Sequence, residues 1–144
     1  MTDAKKKPLW KNECVLLFLI TSGLFVLLFS KFIFGGYAYV FTDGGSDTLQ
    51  INYAQYGLFS SLFRSGESGY ILQAGLGMDV SAYYPAYLIP YNLLLLLAPQ
   101  RFLPWAVLAA TYLKLMTISL VGYLFFRKRM DDGIGTMAAA LAWT

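Results

Sequence analysis

The chain has 144 residues, of which 58% are hydrophobic, 17% aromatic and only 13% charged. A water-soluble domain of this length cannot bury so much apolar surface, so the composition points to a membrane protein. The net charge of +3 is gathered near the ends of the chain and not along a helix face, which argues against a nucleic-acid interface; one cysteine and no histidine exclude a disulfide framework and a Cys/His metal site.

Residues 1–13 carry Lys5, Lys6, Lys7 and Lys11, the pattern of an amino terminus kept in the cytoplasm. The apolar run 14–34 follows. As a helix it covers roughly 30 Å, enough for one bilayer crossing. A cleaved signal peptide has a shorter apolar core and a small-residue cut site. This run leads instead into "KFIFGGYAYVF", so an uncleaved first transmembrane helix is expected, with Lys31 snorkelling to the far interface.

Residues 35–102 are expected to form one long extracytoplasmic loop. It opens on "FTDGGSDTLQINY" with two carboxylates, Asp43 and Asp47. Ser46-Asp47 followed by Gln50 resembles a capping box, and predicts an amphipathic helix over about 47–64 lying on the bilayer surface. Its apolar face would hold Ile51, Ala54, Leu58, Phe59, Leu62 and Phe63, with Asn52, Gln55 and Arg64 elsewhere on the wheel. "SGESG" ends it. In "AGLGMDVSAYY", Gly75 and Gly77 suit a tight or ligand-approaching backbone. Nine of the eleven tyrosines fall between Tyr37 and Tyr91, which reads as an aromatic belt at headgroup level, with sugar stacking, for instance by Tyr84, as the functional alternative.

The run "VSAYYPAYLIPYNLLLLLAP", residues 80–99, decides the topology. As a crossing it would divide the loop-borne cations five inside and five outside. As a non-crossing interfacial helix, over about 86–98, it leaves seven inside and only Lys31, Arg64 and Arg101 outside. The second arrangement obeys the positive-inside rule better, and Pro85, Pro90 and Pro99 shorten any uninterrupted helix here.

Residues 103–126 form the second expected transmembrane helix, and "RKRMDDG", residues 127–133, a cytoplasmic loop. Lys114 falls near the middle of this span. Its helical neighbours Val107, Ala110, Thr111, Thr117, Ile118 and Val121 make a small, partly polar face that should turn toward other helices. Either a phosphate contact or a buried ion pair with an acid on another helix would account for it. The final stretch, 134–144, begins a third transmembrane helix and stops after two or three turns, so the chain is expected to be an amino-terminal fragment that would not catalyse anything alone.

The fold expected is thus an all-α polytopic membrane protein. The order of its parts resembles the start of the GT-C membrane glycosyltransferases, and more narrowly the YfhO family of bacterial membrane proteins. The matching segments are "GSDTLQINYAQY", "LFRSGESGYILQAGLGMDVSAYYPAYLIPYNLLLLLAP" and the helix bearing Lys114, and together the resemblance covers residues 14–144. It implies a multi-pass protein of the cell membrane that transfers a sugar from a polyprenyl-phosphate carrier to an acceptor on the outer face. Asp47 matches the family's acid position and Asp43 is the second candidate; either would take the acceptor hydroxyl's proton as it attacks the anomeric carbon. Lys114, Gly75, Gly77 and Tyr84 are the implied substrate-binding positions. Asp47 also reads as an ordinary N-cap and Asp43 as a turn acid. The two carboxylates can coordinate a divalent cation, though the spacing assigns none; no organic cofactor is implied. A lipid-linked substrate transporter or flippase, with Lys114 in its path, and a non-catalytic assembly protein are the other functional classes.

Overall fold

The computed structural model describes residues 9–37, 53–66, 70–71, 77–79 and 90–144. These residues are mostly helical. Among the described residues six helices follow one another: α1 (Leu9–Leu28), α2 (Ser30–Phe34), α3 (Ala54–Ser65), α4 (Leu93–Leu97), α5 (Leu103–Arg127) and α6 (Gly133–Trp143), with a 3-10 turn at Gln100–Phe102. The all-α expectation needs one amendment. Tyr70–Ile71 (β1) and Met78–Asp79 (β2) pair antiparallel, Tyr70 with Asp79 and Ile71 with Met78.

The chain divides into two compact units, residues 1–36 with 112–144 and residues 37–111. In the first, α1 and α2 are separated only at Phe29, whose φ of −99° and ψ of 12° leave the helical region. The α-type bonds survive on both sides, from Phe29 N to Phe25 O and from Ile33 N to Phe29 O, both 2.9 Å. The expected first span is therefore a helix with one distorted residue, beginning earlier than position 14. Leu17, Tyr123, Met137 and Ala140 form its buried cluster, with Cys14 and Leu141 packed against it. Gly122 of α5 faces Ala140 of α6, where a Cβ would stand 3.6 Å from Ala140 Cα, at ordinary contact distance. The start of α6 is fixed by Asp132, whose carboxylate accepts from Ile134 N at 3.1 Å and Gly135 N at 2.8 Å. Such a cap contributes about 1 kcal/mol.

This unit buries three hydroxyl side chains beside its apolar cluster and leaves many large apolar side chains on its surface. Thr21, Ser119 and Thr136 are buried, whereas Phe18, Leu19, Leu27, Val121 and Phe125 are exposed. Among the described residues, the segment Gln100–Arg127 is long and apolar enough to cross a membrane, at 28 residues and a mean hydropathy of 1.6. Glu13–Leu28 and Gly133–Trp143 are shorter apolar helices.

In the second unit α3 packs on α4. Phe59 and Leu62 meet Leu96, and the buried Ser60 hydroxyl donates to the Ala98 carbonyl at 2.5 Å. That carbonyl lies past the end of α4, where intrahelical donors run out. Part of the apolar face of the expected amphipathic helix is thus covered by α4. The covered face is also rotated toward Ser60, leaving Ala54 and Phe63 exposed. Gly66 ends α3 in the left-handed region at φ 73°, its N–H bonded to Leu62 O, a conformation that only glycine adopts without strain. The described part of the expected interfacial helix is limited to Leu93–Leu97, one and a half turns stopped by the extended backbone at Ala98 and Pro99. Leu95 packs with Leu103, Val107 and Ala110 of α5, and Tyr53, Tyr56 and Tyr91 close over this cluster.

Candidate functional site

Glu13 is the point at which α1, α5 and the start of α6 are joined. Tyr123 and Arg127 are four residues apart on α5 and so share a face. The Tyr123 hydroxyl donates to Glu13 Oε2 at 2.5 Å, and Arg127 Nε stands 3.7 Å from the same oxygen. The Glu13 and Arg127 side chains keep 18% and 31% of their surface, so the pair is largely desolvated and weakly screened. Gly133, the first residue of α6, lies so close that a Cβ there would fall on the Glu13 carboxylate. Chemically the cluster is a carboxylate held by one phenol and one guanidinium. It clamps three helices and leaves little room for a ligand.

Further along α1 two hydroxyl pairs bridge to α5. Thr21 Oγ1 and Ser119 Oγ are 3.1 Å apart, and Ser22 Oγ and the Tyr112 hydroxyl 2.9 Å. Beside them lies a cavity of about 190 Å³ lined by Cys14, Leu17, Phe18, Thr21, Met116, Ser119 and Leu120. Its two hydroxyls already bond each other, so its wall is effectively apolar.

Of the site residues expected from the sequence, Asp43, Asp47, Gly75 and Tyr84 lie outside the described residues, as do Ser46 and Gln50 of the capping box. Gly77 is in the left-handed region at φ 104°, and the Tyr70 ring fills the space a side chain there would need. Its lack of a side chain is thus accounted for within the β1–β2 pair, with no ligand required. Among the described residues, no group of three or more His, Cys, Asp or Glu gathers as metal ligands do.

Lys114 is exposed, and no hydrogen bond or ion pair joins it to a described residue. The face expected to turn inward does so only in part. Val107 and Ala110 are buried, Thr111 is half-buried, and Lys114, Thr117, Ile118 and Val121 are exposed. The reason is that α1 takes the neighbouring side of α5, through Tyr112, Ser119 and Tyr123. At the middle of a helix that spans a bilayer a cation costs at least about 2.5–3.5 kcal/mol on insertion scales.

Sequence reasoning passed over Glu13, Tyr123, Arg127 and Asp132. The signals were present: an acid at the edge of an apolar run, a Tyr and an Arg at helical spacing, and Asp-Gly ahead of another apolar run. Comparison of the chain with known protein families, curated proteins and solved structures finds no match.

Proposed function

We propose that the chain is a multi-pass membrane protein with a cytoplasmic amino terminus, and that it contributes to a glycosyltransferase acting on a polyprenyl-phosphate-linked sugar at the outer face. The membrane half of this reading is carried by one observation. The first unit exposes Phe18, Leu19, Leu27, Leu28, Val121, Leu124 and Phe125, more apolar surface than a domain in water ordinarily leaves uncovered. The catalytic half is supported by the order of the quoted segments, "GSDTLQINYAQY" first, and by the chemistry of their residues.

In this reading Asp47, or Asp43, takes the proton of the acceptor hydroxyl while that oxygen attacks the anomeric carbon. Attack opposite the leaving phosphate inverts the carbon. The phosphate departs as an anion and requires cationic or N–H stabilisation, not protonation. An acid just outside the first helix stands where a water-borne acceptor and a lipid-borne donor can meet.

The test is sugar transfer from radiolabelled polyprenyl-phosphate donors in membranes that contain the protein. Asp47→Asn or Asp43→Asn should abolish transfer while insertion is normal. Parental rates in both variants would refute the assignment of the base. A transporter of lipid-linked substrate is the second reading, favoured by the exposed Lys114; it expects movement of the intact carrier lipid that Lys114→Gln slows and Asp47→Asn leaves alone.

A further inference from the structure

Lys114, Thr117, Ile118, Val121 and Phe125 recur every three or four residues and are all exposed, so they form one open stripe along α5. Thr117 Oγ1 donates to its own helix at Leu113 O, 2.8 Å away. It therefore presents its methyl group, and Lys114 is the one charged residue of the five; at the far end the Arg129 guanidinium lies over the Phe125 ring. Two turns on, the stripe borders a cavity of about 220 Å³ walled by Val121, Gly122, Phe125, Phe126 and Trp143. At ~1.5 Å per residue, Lys114 lies about 16 Å from Leu103 and about 20 Å from Arg127 along the helix. A membrane-embedded α5 thus holds this ammonium too deep for its stem to reach either interface.

We propose that this stripe docks an apolar helix from outside residues 1–144 that carries one Asp or Glu at mid-depth, paired with Lys114, and a bulky apolar side chain two turns away that enters the Val121–Trp143 cavity. The inference rests on the membrane reading but not on glycosyl transfer. Charge complementarity selects the occupant. A second copy of these residues does not fit, because Glu13 is the one acid of the chain within α1, α5 or α6, and it is held by Tyr123 and Arg127. A lipid tail would fill the cavity but leave the ammonium uncompensated.

The test uses the protein in phosphatidylcholine vesicles with a dye-labelled polyleucine transmembrane peptide carrying a single central Asp. Energy transfer should report association about tenfold tighter than with the all-leucine peptide. Lys114→Leu should remove the difference and Lys114→Arg keep it. Equal binding of both peptides, or binding indifferent to Lys114→Leu, overturns the proposal. So does Lys114-dependent retention of polyisoprenyl phosphate in place of the peptide. A Lys114→Cys variant, made with Cys14 replaced by Ala, separates the two levels. Reaction with a water-borne thiol reagent sinks the membrane reading and the docking together, whereas silence with no peptide association sinks the docking alone.

Discussion

The Tyr123 hydroxyl meets the Glu13 carboxylate at 2.5 Å across 110 residues of sequence, and Gly133 approaches the same carboxylate with no side chain to keep it away. Three helices depend on one acid. Tyr123→Phe leaves Glu13 with the Arg127 contact alone, so a loss of about 1.5–3 kcal/mol is expected, the range for a hydrogen bond to a charged group. Gly133→Ala should destabilise as well, although alanine is the better helix former by up to about 1 kcal/mol, because its methyl group displaces the carboxylate. Thermal unfolding in detergent micelles measures both. A Gly133→Ala protein more stable than the parent would show that Glu13 is not held where it is described.

The α3–α4 contact offers a second measurement. Ser60 is buried, and its small side chain lets α3 approach α4 closely enough to reach the Ala98 carbonyl. Ser60→Ala keeps the approach and loses the bond, about 1 kcal/mol. Leu96→Ala empties the space between Phe59 and Leu62 and should cost about 2–5 kcal/mol. Amide hydrogen exchange over Ala54–Ser65 distinguishes them: a small rise in rate for the first, loss of protection for the second.

The longer helices were legible in the sequence because apolar length or apolar periodicity dictates them. α5 follows from an apolar run broken only by Lys114 before its terminal Arg127, and α3 from its periodicity. Which face of α3 is covered was not legible. Periodicity ranks side chains by hydrophobicity, and Ser60 is buried for its size and its hydroxyl, which a hydrophobic pattern scores as solvent-facing. Glu13 was missed for a related reason: a charge beside an apolar run reads as its polar edge, and its partners lie 110 and 114 positions away. The candidate catalytic acids are a different matter. Asp47 carries the same signature whether it caps a helix or takes a proton, since both roles need an oxygen at the same loop-to-helix junction.

Tyr56 ties the second unit to pH. Burial beside Leu95, Leu103 and Phe59 pushes its phenol above the ordinary value of 10.0. The neutral form is the one the fold favours. As pH rises past 10, the unfolded chain releases this proton before the folded one does, so the unfolded state binds fewer protons and stability falls until the folded phenol also ionises. Below pH 10 the term is constant. Tyr56→Phe should therefore flatten the alkaline loss of stability of the α3–α4–α5 cluster without changing its behaviour near neutrality. The difference in phenolate absorbance between parent and variant, followed through alkaline titration, should show one tyrosine ionising late.

The orientation proposed for the chain makes a testable claim about its basic cluster. Arg127 Nη1 donates forward to Asp131 O at 3.0 Å, while Arg129 Nη1 donates to Phe125 O at 3.4 Å with its guanidinium over the Phe125 ring, so Arg129 folds back on the carbonyl end of α5. Positive charge is favoured there by the helix dipole, and in a bilayer by the cytoplasmic side. With Lys5, Lys6, Lys7 and Lys11 it makes seven cations for the inner face against three outside, provided residues 80–99 do not cross. Single cysteines at Ser68 and Met130, in a Cys14→Ala background, test this directly. A membrane-impermeant maleimide applied to intact cells should label position 68 and spare position 130, and permeabilised cells should lose the distinction. Labelling at both positions in intact cells would mean that residues 80–99 cross and that the basic triplet faces outward, against a difference of four cations; the outer-loop position given to Asp47 would then rest on the first helix alone.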